Sequence, residues 1–317
     1  MHRVPLPGHD GGAADPTVLA LARRLRIDPG LFAYTCVWLA GTASLFLPVS
    51  NLTNLLALSG HSLPAHRFFL MMWLPGTVSV LVTVGLLGLM FRRTLRAGPV
   101  AARRPGSVER GRRDAGARPG RARGRRDAAL LGASVAAVAA LAIAILAGAD
   151  ITLTALCSAG ALLAATAALV PRRLRRLRLP WTMLLGVGAL FLAVQGAREA
   201  FLDDLLAHLA FGEDPAGLAG LAAGGALTSN LGNNLPAYLA LEGLAGSSPV
   251  LSGALLIGVN AGSLITPWGS LATLLWLGRC RAAGITVSLR GFAGRGAVLT
   301  ALVLPASTLA LALGPGA

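Results

Sequence analysis

The chain has 317 residues, is 55% hydrophobic and carries only 13% charged residues, against about 25% in soluble domains. Its mean hydropathy is +0.68, which excludes an ordinary water-soluble domain. The net charge is +15, and all 28 basic residues are arginine. That excess is better read as arginine-rich loops on one side of a membrane than as a nucleic-acid-binding surface. No nucleic-acid partner is expected.

Several uncharged runs reach the roughly 20 residues that cross about 30 Å of hydrocarbon. Taken in chain order, residues 29–65 hold no charge apart from His61 and have a polar, proline-containing centre, "LPVSNLTN". This stretch is too long for one straight helix and too short for two spans, so it predicts a broken helix. Irregular backbone at membrane depth survives only where protein or a water-filled cavity satisfies it. A span follows at 68–91. Residues 92–127 form a basic loop expected to be cytoplasmic and disordered; between Phe91 and Asp127 there are 13 arginines and three acids. Spans at 128–148 and 151–170 return the chain to the same side. A second basic run, "PRRLRRLRLP" at 171–180, is therefore cytoplasmic as well. A span at 179–197 runs outward and leads into the amphipathic "REAFLDDLLAHLAF".

Residues 215–246 then read as a re-entrant hairpin entering from outside, with the octet "SNLGNNLP" at its tip. Amides are costly to bury unless they are hydrogen-bonded or bind something. A second broken helix spans 247–278, centred on "ITPWGSLAT", and a last span is expected at 296–315. The polar centres match at an offset of 219 residues. Ser44, Leu45, Pro48, Leu52, Leu55 and Leu56 fall on Ser263, Leu264, Pro267, Leu271, Leu274 and Leu275. The charge-based topology runs the first stretch outward and the second inward, which is the pattern of an inverted-repeat carrier. Residues 1–91 are then the remnant of a first repeat and 128–317 the second. The partner hairpin survives only as "HDGGAADP" at 9–16, where Gly12 and Pro16 match Gly232 and Pro236 at an offset of 220, and Asp10 stands opposite the similar Asn230. The fold class expected is an all-α polytopic membrane protein, an inverted-repeat secondary transporter with a re-entrant hairpin and two broken transmembrane helices.

"GTASLFLPVSNLTNLLALSG" (41–60), "NNLPAYL" (233–239) and "GVNAGSLITPWGSLATLLWL" (258–277) resemble the arsenite permeases, the ArsB-type arsenical pump membrane proteins of the wider ion-transporter superfamily. The resemblance runs from about residue 17 to the C-terminus, the basic loop excepted. It implies export of arsenite or antimonite from the cytoplasm across the plasma membrane, driven by protons. Some members work with an arsenical pump ATPase, and a homodimer is an open assembly state. Family members begin with further spans before the region seen here, so an N-terminally truncated first half is expected.

Carried over by motif, the resemblance places Thr42, Ser44, Ser50, Asn51, Thr53 and Asn54 at the site. From the second broken helix it places Asn260, Ser263, Thr266, Gly269, Ser270 and Thr273 there. The hairpin contributes Ser229, Asn230, Asn233 and Asn234. Amides, hydroxyls and backbone groups suit a neutral polyol-like solute such as As(OH)3. Proton coupling needs a titratable group, and Glu242 is the candidate. Cys36, Cys157 and Cys280 are read as packing residues; no metal or cofactor is expected. No HExxH, GxSxG or phosphate-binding glycine loop points to an enzyme. Two alternatives stay open: a sodium- or proton-coupled carrier of another anion, and a non-transporting fragment.

Overall fold

The computed structural model describes residues 29–60, 63–97, 121–174, 181–282 and 284–314. The remnant hairpin at 9–16, residues 98–120 of the basic loop, residues 175–180 and His61 lie outside them. Every regular element among the described residues is helical: α1 (Pro29–Thr42), α2 (Leu52–Gly60), α3 (Ala65–Met90), α4 (Arg92–Ala97), α5 (Arg121–Leu146), α6 (Ile151–Leu169), α7 (Pro171–Leu174), α8 (Trp181–Ala197), α9 (Asp203–Leu206), α10 (Pro215–Leu231), α11 (Asn234–Leu241), α12 (Pro249–Ala261), α13 (Leu271–Ala282) and α14 (Leu289–Ala312). Their starts follow local chemistry. Proline, which has no amide to satisfy, opens α10 and α12. Side chains of Asp150, Asp214, Ser248 and Ser288 accept from first-turn amides as N-caps.

Helices α3, α6, α14 and residues 128–146 of α5 are long and apolar enough to cross a membrane. Helix α6 buries none of its residues against this chain, as a lipid-facing helix does. The protein is a multi-pass membrane protein. The observed helices differ from the expected spans mainly at their ends. Helix α14 begins at Leu289, about two turns earlier than 296, because Ser288 caps it and Arg295 turns back over the Tyr34 ring, 5.1 Å from its centroid. Helix α5 begins at Arg121, so part of the basic run is helical.

The two broken helices share one backbone. In the first, α1 tightens to a 3-10 turn at Ala43–Leu45, Leu47 is extended, Pro48–Ser50 form another 3-10 turn, and Asn51 is extended before α2. In the second, the same landmarks are Gly262–Leu264, Thr266, Pro267–Gly269 and Ser270 before α13. Asn51 lies at φ −148°, ψ 145° and Ser270 at φ −146°, ψ 151°. Each proline lacks an amide and drives its preceding residue out of the helical region, which is what breaks both helices. Even the side chains agree: Ser44 donates to the Gly41 carbonyl and Ser263 to that of Asn260, each three residues back.

The two segments run antiparallel. Tyr34, early in α1, meets Phe91 just past α3, Trp276 late in α13 and Phe292 early in α14, with centroids 6.0–6.1 Å apart. At the other end, Gly253 early in α12 abuts Met71 and Met72 of α3 and Leu311 of α14. The segments cross where Gly41 faces Asn260, two positions 219 apart; a Cβ on Gly41 would lie 3.2 Å from the Asn260 carbonyl.

Helix α12 is buried along its whole length and forms the centre of the core. Hairpin arm α10 packs on it at backbone distance. A Cβ on Gly258 would run into the Ala222 carbonyl and one on Gly262 into Ala226. Small residues four apart allow this approach, in the manner of membrane helix pairs.

Candidate functional site

The polar positions gather into two adjoining clusters at the breaks. The first centres on Asn260, only 1% exposed. Its Oδ1 accepts from Asn51 Nδ2 and Thr53 Oγ1, each at 2.8 Å, and from Asn234 Nδ2 at 3.4 Å. Its Nδ2 donates to Asn54 Oδ1 at 2.9 Å. Asn54 in turn donates to the Ser44 and Leu47 carbonyls at 2.7 and 3.0 Å, two acceptors that the broken helix has released. One carboxamide thus ties together both broken helices and the hairpin. Three donors converge on an oxygen with two lone pairs, and Asn234 holds the longest of the three bonds.

The second cluster centres on Asn230 at the end of α10. Its Nδ2 donates to the Ala226 and Gly262 carbonyls, both at 2.7 Å. Its Oδ1 accepts from the Thr266 amide at 2.8 Å and from Thr266 Oγ1 at 3.1 Å. Trp268 Nε1 donates to the Asn230 carbonyl at 2.7 Å. Asn233 Nδ2 donates to the Trp268 carbonyl at 3.0 Å. The hairpin tip therefore docks into the second break. Asn233 makes the turn at φ 155°, ψ 156°, where residues with a Cβ are rarely found.

The remaining expected positions are more local. Thr42 donates to the Trp38 carbonyl and accepts from Thr83 at 3.2 Å. Ser229 bonds back to the Ala226 carbonyl. Ser50 donates to the Ser44 and Leu47 carbonyls. The hydroxyls of Ser270 and Thr273 pair at 2.9 Å, and Ser270 Oγ accepts the Thr273 amide at the start of α13. Gly269 has to be small: a Cβ there would strike the Ser263 carbonyl and come within 3.1 Å of Asn230 Oδ1. Trp268, Thr83 and Gly262 belong to the network yet escaped the sequence reading. An indole within a polar centre was the available signal for Trp268, whose N–H finds an acceptor although the residue is 48% exposed.

Glu242 stands apart from both clusters. It follows α11 at the hairpin mouth and accepts from Arg198 Nη1 at 2.7 Å, with 31% of its side chain exposed. Beside it opens a cleft of about 620 Å³ lined by Arg198, Asp203, Phe211, Leu244 and Ser248 among others. Asp203, Asp204 and Glu213 are exposed around this mouth, and His66 is exposed at the start of α3. Cys36 is half-buried, Cys157 exposed and Cys280 buried.

An all-helical, multi-pass membrane protein with paired helix breaks and neutral polar groups at their crossing is thus defined. The family model described as a citrate transporter (CitMHS) matches residues 16–251, and the chain belongs to that family. It is 32% identical over 145 residues to the arsenical pump membrane protein of Escherichia coli, covering 42% of this chain and 34% of that protein. It is 33% identical over the same length to the arsenical pump membrane protein of Yersinia enterocolitica, with the same coverage. The match spans about a third of the length of these relatives. No solved structure matches. The relatives and the apolar helices make this a protein of the plasma membrane.

Proposed function

We propose that this chain is an inverted-repeat secondary transporter that exports arsenite or antimonite from the cytoplasm by proton antiport. The observation that carries the reading is Asn260, whose carboxamide joins both broken helices and the hairpin without any charged side chain among its partners. Neutral As(OH)3 offers hydroxyls as donors and acceptors, and such a solute can exchange partners with amides and hydroxyls without a fixed counter-charge. Half-helix ends at antiparallel breaks are where carriers of this design hold solute and ion. Its relatives are arsenical pump membrane proteins by name. The end that bears Arg92, Arg93, Arg279, Arg281, Arg290 and Arg295 is assigned to the cytoplasm by the positive-inside rule. Glu242 is the proton-carrying candidate. An arsenical pump ATPase and a second copy of the chain are the protein partners this reading allows.

A second reading, sodium-coupled transport of another anion, is favoured by one feature. The clusters supply carbonyl, amide and hydroxyl oxygens, the ligands of a hard cation, while neither contains a titratable carboxylate. Uptake by energised everted vesicles separates the readings. Arsenite accumulation that collapses with a protonophore and ignores sodium supports the first. Sodium-dependent uptake of citrate or another carboxylate, with none of arsenite, supports the second. Absence of both, with the protein present in the membrane, leaves a non-transporting fragment.

A further inference from the structure

The hairpin arm α11 carries Asn234 at its start, Tyr238 one turn on and Glu242 one turn further, directly after its last residue. Residues four apart share a helix face, so a single edge runs from the Asn260 cluster to the hairpin mouth. At its inner end Asn234 reaches Asn260 through one bond of 3.4 Å, and the preceding Asn233 donates to the Trp268 carbonyl at 3.0 Å. Tyr238 in the middle is 1% exposed. The outer end is gripped by one side chain. Arg198 Nη1 donates to Glu242 Oε1 at 2.7 Å and to the Leu239 carbonyl at 3.3 Å, while its Nε donates to Asp203 Oδ1 at 3.1 Å. A helix C-terminus presents unpaired carbonyls and a negative partial charge, which a guanidinium fork suits. Arg198 opens a π-helical segment, Arg198–Leu202, that continues α8. Such wide turns recur at functional positions in helices.

We propose that Arg198 is a positioning residue for the transport site. By clamping the C-terminal end of α11 to α8, it holds Asn234 in register against Asn260, two helical turns away. The inference rests on the reading of the Asn260 cluster as the solute site, but its first test does not depend on transport. Amide hydrogen exchange of the protein in nanodiscs, with fragments that separate residues 234–238 from 239–245, reads the register of α11 directly. Arg198→Ala should raise exchange in both fragments, by up to roughly fivefold, and Arg198→Lys should give an intermediate value. Exchange raised only in 239–245, or unchanged in both, overturns the proposal, because the pair would then do no more than fasten the hairpin mouth. The second arm is arsenite uptake in everted vesicles at matched membrane levels. Positioning predicts that Arg198→Ala raises KM several-fold and that Arg198→Lys restores part of the loss. An unchanged KM overturns it. If the wild type carries no arsenite, the proposed substrate fails and the exchange result alone decides the role of Arg198.

Discussion

The Asn260 carbonyl faces Gly41, 219 positions earlier in the chain, and the Asn260 carboxamide serves the crossing of the two broken helices. Each group it satisfies is buried or half-buried, and a buried polar group left without a partner costs about 1–3 kcal/mol. Asn260→Ala strands Asn51, Thr53 and Asn54 together. Asn234→Ala removes only the longest bond, 3.4 Å. Thermal unfolding in detergent should therefore rank the losses Asn260→Ala above Asn54→Ala above Asn234→Ala. A loss at Asn234 as large as that at Asn260 would contradict the hub. At this scale the sequence was partly legible. Asparagines stand out in an apolar chain because burying them is costly, so Asn230, Asn233 and Asn234 of the octet could be chosen by type, whereas Asn51, Asn54 and Asn260 were reached through the motifs that resemble the arsenite permeases. Their pairing could not be chosen. Asn51 and Asn260 are 209 residues apart, and nothing local says which amide meets which. Arg198 was hidden for the same reason, since its partner Glu242 lies 44 residues on.

Elements were more readable than contacts. The breaks at Pro48 and Pro267 follow from backbone chemistry that acts within one or two residues, and the observed segments repeat it landmark for landmark. The hairpin turn at Gly232 and Asn233 falls within the polar octet for a similar reason. Helix ends were less readable. A span judged by charge stops at the first arginine, whereas the helix continues while a cap and a stacking partner exist, as Ser288 and Tyr34 show for α14. The close pairing of α10 and α12 belongs to this scale as well. Gly258→Val would drive side-chain atoms into the Ala222 backbone, and the expected outcome is loss of folded monodisperse protein in size-exclusion chromatography. Gly132, in α5, has nothing within 4 Å of a Cβ, and Gly132→Ala should be neutral or raise stability by about 0.5–1 kcal/mol. Equal tolerance of both substitutions would show that the backbone contact is not what holds the hairpin.

Among the described residues the charges sort by end. Arg92, Arg93, Arg279, Arg281 and Arg290 lie toward the end where Tyr34 meets Phe91 and Phe292. Asp150 lies with Pro64 beside one cleft at the opposite end, and Glu213 accepts from Ser248 at the start of α12 there. Among the described residues, Arg67 and Arg198 are the arginines at that acidic end. Single cysteines at Arg93 and Arg290 should react with an impermeant maleimide only from the cytoplasmic face, and those at Asp150 and Glu213 only from outside. Labelling of Arg93→Cys and Arg290→Cys from opposite faces would contradict the antiparallel arrangement of α3 and α14. This arrangement was legible in outline, from arginine placement and the 219-residue offset, because topology obeys a rule about loops rather than about particular contacts. The convergence of three separate segments on one carboxamide was not.

The central claim is that solute passes through the crossing held by Asn260. It is tested most directly by comparing arsenite accumulation in energised everted vesicles between wild type and Asn260→Ala, at membrane levels matched by quantitative blotting. The account predicts accumulation in the wild type that a protonophore abolishes, and its loss in the variant. Undiminished accumulation by Asn260→Ala would contradict it and place the transport path elsewhere in the chain.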